Sequence, residues 1–436
     1  FIVSINQPGS VVQTGGIVSS TVDRGWFMSD GGSSSGTYEI TGGELYVNTS
    51  GSLTANNNYA VHVGRQSGDD ALLINGGNAT FTATAANTRT YVSKGSRIEV
   101  NSGNLTFNDF RFISVGRDGD ATTTSKMLIN GGTVTAAGLP GDGAVVIGNG
   151  NTGLISVNGG SLHLPTGPLW VGDGGAGGTY HQTSGSLTLD NGQVVVGRNG
   201  WGTFTLDGGT VTARNIQLDR DVATVNLNGG ELIVDEIRGS TANRGTVNFN
   251  GTGITLNPLS PGGILISNLS HAYIGKNGLK IKVGELQSAT IGSELARFPS
   301  VGAEKDGGLL KTGPGTLYVD RATSYSGPTR IEEGMVSFIA PSLPDRGEVV
   351  IATGAILDLF HYDSDTVRKV TIGTQTLATG VWGAPDSGAQ FTHPALSGTG
   401  FLNVTNGTSE TPFESWVLST GLSGAASGAE PDGDSD

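Results

Sequence analysis

The first 250 residues repeat one short pattern, an apolar-alternating run broken by Gly-Gly or Ser-Gly and then resumed. It occupies Tyr38 to Val47, Leu72 to Gly77, Ile98 to Phe107 and Met127 to Val134, and returns at Ile155 to Leu164, Tyr180 to Leu189, Phe204 to Val211 and Val225 to Val234. Alternation with a period of two predicts short strands with one inward and one outward face. The glycine pairs end at Gly132, Gly160, Gly185, Gly209 and Gly230, so successive steps are 28, 25, 24 and 21 residues. A period of that length built from strands and turns predicts a β-solenoid.

A second phrase keeps pace with the first. Val63-Gly64-Arg65, Val115-Gly116-Arg117, Ile147-Gly148-Asn149, Val171-Gly172-Asp173 and Val196-Gly197-Arg198 each end an apolar run and open a polar turn. One unit therefore reads strand, glycine corner, strand, loop, apolar strand, turn. A single unit cannot bury its inward side chains, but stacking units at about 4.8 Å buries them as columns. Ile74, Ile98, Ile129, Val157, Leu187, Leu206 and Leu227 are expected on inward columns. The fold class is thus all-β, a right-handed parallel β-helix with coils of about 21–28 residues. Residues 1–34 form an N-terminal strand segment, an edge or a donated strand; 35–254 carry the regular repeats; 255–408 continue less regularly; 409–436 are an acidic tail.

Composition narrows the function. Hydrophobic residues make up 36%, enough for a long thin core, and corners account for most of the 73 glycines. Cysteine is absent, which excludes disulfides and thiolate sites and suits a bacterial exported protein. No apolar run is long enough to span a bilayer as a helix. The chain begins at Phe1, which reads as a mature product whose targeting segment was removed or not included. A net charge of −14 argues against nucleic acid and anionic lipid as partners.

Between Gly307 and Val336, Leu310, Lys311, Gly313, Gly315, Leu317, Tyr325, Gly327, Gly334 and Val336 recur at characteristic spacing. This stretch resembles the autotransporter-associated β-strand repeat of bacterial surface proteins. The pieces Ala355 to Leu359, Thr379 to Ala384 and Ser397 to Val404 look like strands that commonly follow it. The resemblance implies a parallel β-helix at the cell surface and no particular reaction. No transmembrane barrel sequence follows in this chain.

The tail resembles the acidic tails of surface proteins in which calcium loops precede an anchoring element. Asp432, Asp434 and Asp436 have the alternate spacing that lets carboxylates converge on a calcium ion, although no closing ligand follows them. The alternative is an acidic tail without metal. No other cofactor is expected. Carboxylate candidates for chemistry are Asp69 with Asp70, Asp118 with Asp120, Asp219 with Asp221, and Asp358 with His361 and Asp363. Turn hydrogen bonding explains Asp at such places more simply. The six histidines, His62, His163, His181, His271, His361 and His393, lack metal-ligand spacing. Stacked in register, Arg65, Arg117, Asn149, Asp173 and Arg198 would form a polar stripe, either a grip for an anionic glycan or a turn ladder paired with itself. Trp26, Trp170, Trp201 and Trp382 would be sugar platforms or packing groups.

The opening residues are strand-like. Phe1, Ile2, Val3, Ile5, Val11, Val12, Ile17 and Val18 are candidates for self-association by strand addition, giving a head-to-tail filament. The function expected is that of an extracellular structural solenoid on a bacterial surface, a fibre, sheath or adhesin stalk, and not an enzyme. The alternatives are a polysaccharide-degrading β-helix and a module binding a surface glycan.

Overall fold

A computed structural model describes residues 2–406 apart from 5, 6, 23, 24, 30–34, 51–58, 66, 67, 119–122, 140–143, 176, 258, 259, 261 and 303. The calcium-spaced aspartates of the tail, with Phe1, Ile5 and Asp120, lie outside the described residues. Among those described, the only helical element is one turn of 3₁₀ helix at Pro299–Val301; the rest is strand and turn. The chain divides into two compact units, Phe1–Thr246 and Val247–Asp436.

In the first unit each coil carries three strand segments, and each segment pairs in parallel with its counterpart one coil on. One face runs Trp26–Ser29, Tyr59–Val63, Arg89–Val92, Phe112–Val115, Ala144–Ile147, Leu169–Val171, Gln193–Val196 and Asn215–Leu218. The other two lie either side of the glycine corner, and in Ala71–Ala83, Arg97–Phe110 and Thr152–Thr166 the strand runs through it without a break. Coil lengths differ while the strands keep register, because the extra residues of long coils sit in the turns.

All seven residues expected on inward columns are buried. They divide among three columns. Ile40, Ile74, Val100, Ile129, Val157, Gln182, Leu206 and Leu227 stack on one another. Ile98 belongs to the adjacent column with Tyr38, Leu72 and Met127, and Leu187 lies across the corner with Leu162 and Val211. At the corner itself Gly132 has φ +67°, and a Cβ there would sit 2.2 Å from the Gly103 carbonyl oxygen, so the coils approach too closely for any side chain.

The Ile2–Ser4, Gly9–Gln13 and Ile17–Val22 strands pair in parallel with Trp26–Ser29, Gly36–Ile40 and Glu44–Thr49 of the same chain. The opening segment is therefore a coil on its own stack. Val12 is 55% exposed, Ile17 73% and Val18 40%.

The second unit repeats the geometry. Gly263–Ser267, Ser288–Ile291, Thr316–Val319, Met335–Phe338, Ile356–Leu359 and Leu396–Gly398 form one parallel face. Leu279–Lys282, Leu309–Thr312, Thr329–Ile331, Glu348–Ile351 and Lys369–Ile372 form another. Near its C-terminal end the pattern changes. Gln375–Thr376 runs antiparallel to Lys369–Ile372, and Gly380–Gly383 antiparallel to Phe401–Val404. The Thr379 to Ala384 piece, expected as a strand that follows the repeat, contains the strand Gly380–Gly383.

Candidate functional site

A polar stripe follows the Val-Gly and Ile-Gly turns. The valine or isoleucine before the glycine points inward and is fully buried, and the glycine takes positive φ, +88° at Gly64 and +74° at Gly197. That turn sends the next side chain back over the outer face of the preceding coil. The Arg65 guanidinium lies 4.6 Å from the centre of the Phe27 ring, Arg117 5.7 Å from Tyr91, and Arg198 3.7 Å from Trp170. The polar ends pair between coils: Arg117 Nη1 donates to Asn149 Oδ1 at 2.6 Å, and Arg198 lies 3.4 Å from Asp173. Such cation–π contacts contribute about 0.5–2 kcal/mol each. The arginines seal the outside of the Val-Gly face, where Phe27, His62 and Tyr91 are buried although their side chains point away from the core. The stripe is a ladder paired with itself.

The carboxylates do not gather. Asp69 is exposed, whereas Asp70 is completely buried and accepts from Ser29 Oγ at 2.5 Å, Gly36 N at 2.6 Å and Gly64 N at 2.9 Å. Burial pushes its pKa up, opposed by those same hydrogen bonds. It staples two coils at a corner. In the second unit Asp306 does likewise for Gly308, Ser326 and Gly327, and Asp365 for Ser342 and Leu343. Asp118 lies beside Arg117, Asp219 accepts from Gln217, and Asp221 pairs with Arg244 at 3.2 Å. Asp358 is held between Ser337 and Ser397 at 2.6 and 2.7 Å, and His361 Nδ1 lies 3.1 Å from the Asp363 carbonyl oxygen rather than from either carboxylate. Among the described residues no three His, Cys, Asp or Glu side chains converge as a metal site would require.

The histidines are dispersed. His163 pairs with Asp190 and His181 with Asp207 on the surface, His271 stacks on Tyr273, and His393 Nδ1 accepts from Ala395 N. His62 is buried against Tyr91 and Ser93; burial, with Arg65 and Lys94 adding to it, lowers its pKa to about 3. The tryptophans divide as well. Trp26 is a core residue packed on Tyr38 and Phe81, Trp382 stacks on Phe391, Trp170 is covered by Arg198, and Trp201, at 45%, is the most exposed of the four.

Two polar devices escaped the sequence reading. In four successive coils the asparagine before the glycine corner builds a ladder up its outside. Asn101 donates to Asn75 at 2.8 Å, Asn130 to Asn101 at 2.8 Å and Asn158 to Asn130 at 2.9 Å, and Asn75 donates to Glu39 at the head. Its signal was the recurring Asn in Ile-Asn-Gly-Gly. Inside the corner, Gln13, Gln182 and Lys311 interrupt apolar columns and bind backbone carbonyls of their own and the next coil. Gln182 Nε2 donates to Gly185 and Gly208, and its Oε1 accepts from Tyr180. Gln13 donates to Gly16 and Glu44 and accepts from Tyr38. Lys311 Nζ donates to Gly313 at 2.6 Å and Glu333 at 2.9 Å.

No family model matches the chain, and neither a curated protein nor a solved structure does. What stands of the resemblance at Gly307 to Val336 is its geometry, a repetitive, mostly parallel all-β coil in which Lys311 clips a corner. The class is that of a β-solenoid scaffold.

Proposed function

We propose that this chain is a structural solenoid of a bacterial cell surface, a spacer or stalk that joins further copies of itself through its N-terminal coil. The observation that supports this most is where its polar groups are spent. Arginines, asparagines, buried aspartates and the corner clips all bind one coil to the next, which resists shear between coils. Mechanical persistence is what a spacer needs. An export route to the surface accords with the lack of cysteine and the resemblance at Gly307 to Val336.

Self-association would use the exposed apolar side chains of Val12, Ile17 and Val18 beside strands that pair on one side only among the described residues. Deleting these strands would bare the edges of Gly36–Ile40 and Glu44–Thr49, so charge substitution is the cleaner probe. Light scattering of the full chain at high concentration should show oligomers that Val12→Lys with Ile17→Lys reduces to monomers. Monomers from both proteins leave a stalk that does not polymerise. Release of reducing ends or unsaturated products from pectin, alginate or glucuronan, lost on changing Asp358 or His361, would overturn the structural reading in favour of an enzyme.

A further inference from the structure

Three successive corners in the first unit frame a surface cleft of about 340 Å³. Pro165, Thr166 and Pro168 come from one corner, Asn191 and Gln193 from the next, and Arg214 from the third. Neighbouring coils are tied at these corners: Asp190 N donates to the Leu164 carbonyl at 3.3 Å, and Arg214 N to the Gly192 carbonyl at 2.9 Å. The walls are therefore fixed by the backbone of the stack, and the volume falls at the lower end of small-molecule clefts, roughly 300–1,000 Å³.

Its polar side chains differ from the arginines that are paired or stacked on this surface. Arg65, Arg117 and Arg198 are laid on aromatic rings, and Arg244 is paired with Asp221. By contrast the side chains of Asn191, Gln193 and Arg214 bond to no other described residue. The next corner carries Asp235, whose N–H donates to the Arg214 carbonyl, yet its carboxylate makes no ion pair with the guanidinium. Three polar groups that bond to no other described residue thus line one hollow.

We propose that this cleft binds a uronic acid unit of an acidic glycan. A single guanidinium presents a planar fork that matches one carboxylate with two parallel hydrogen bonds. The amides of Asn191 and Gln193 each offer a donor and an acceptor, the complement of sugar hydroxyls. The proline rings supply an apolar surface for the sugar C–H groups. A densely charged polyanion, phosphate chain or polyuronate alike, fits poorly, because the site has one cation and the protein a net charge of −14, so the ligand is a single uronate unit within an otherwise neutral glycan. The proposal is independent of the scaffold reading, since a spacer anchored to a matrix through its flank and one standing free of it are both scaffolds.

Calorimetry on the full chain with a neutral oligosaccharide carrying one uronate, its carboxyl-reduced counterpart and inorganic sulfate tests it. The uronate should bind at least about tenfold more tightly than the reduced oligosaccharide, given the gain of a charge-assisted hydrogen bond. Arg214→Ala should remove that advantage and leave the reduced sugar unchanged, while Asn191→Ala with Gln193→Ala should weaken both. Arg214 is exposed, so unchanged thermal unfolding of Arg214→Ala certifies its fold; Arg214→Lys, keeping charge but not the fork, should recover only part of the advantage. No uronate binding by the intact protein, binding indifferent to Arg214, or displacement by equimolar sulfate would each overturn the proposal.

Discussion

Lys311 is fully buried, and its ammonium is held by two carbonyl oxygens, yet burial lowers its pKa from the ordinary 10.5 to about 8. Below pH 8 folded and unfolded chains both hold the proton, and the burial penalty is carried in full. Between about 8 and 10.5 only the unfolded chain holds it, so stability rises with pH across that window. Lys311→Gln, which copies the clip made by Gln13 and Gln182, should abolish the rise, as denaturant unfolding at pH 7.5 and 10.5 would show. Lys311→Met should cost about 1–3 kcal/mol instead, by leaving buried carbonyls without a donor. His62 acts in the acid range. Its folded pKa near 3 lies below the ordinary 6.5, so the unfolded chain takes up the proton first and stability is lost as pH falls from 6.5 towards 3. Unfolding midpoints of His62→Phe should fall less over that interval than those of the native protein. Neither effect was legible in the sequence. A lone Lys or His in a strand shows its residue type but not whether its side chain faces water, the core, or the covered outer face that encloses His62.

At the scale of the coil, the sequence spoke more clearly. Glycine pairs marked the corners because no Cβ fits there, and alternation marked the inward positions, so the parallel register followed from spacing alone. Gly132→Ala should cost roughly 1–3 kcal/mol, since positive φ and contact with the Gly103 oxygen act together, and thermal unfolding would report it. The outer ladder is worth less per rung. Asn130→Ala breaks bonds to both Asn101 and Asn158, but in water, so a loss of about 0.5–1.5 kcal/mol is expected. The arginine fold-back was hidden because the aromatic it covers lies one coil earlier, more than twenty residues away in sequence: Arg117 on Tyr91, Arg198 on Trp170. The antiparallel Gly380–Gly383 strand was hidden for a different reason. Its composition suits a strand of either direction, and direction is set by the chain reversal before it.

For the molecule as a scaffold, the decisive property is that many coils hold one register. Glu39, Leu73, Glu99, Leu128, Ser156, His181, Thr205 and Asn226 stand one above the next on an outward position of the first unit. Stacked strands lie about 4.8 Å apart, so position along this column is a ruler. Spin labels placed at Glu99 and Thr205 are separated by four steps, about 19 Å in the backbone, and those at Glu39 and Asn226 by seven, about 34 Å. Pulsed dipolar spectroscopy of the two doubly labelled proteins measures both intervals directly. Two narrow distributions are expected, the second longer by close to three strand spacings. Equal distances, or broad distributions without that increment, would contradict a stack of coils in fixed register and with it the scaffold.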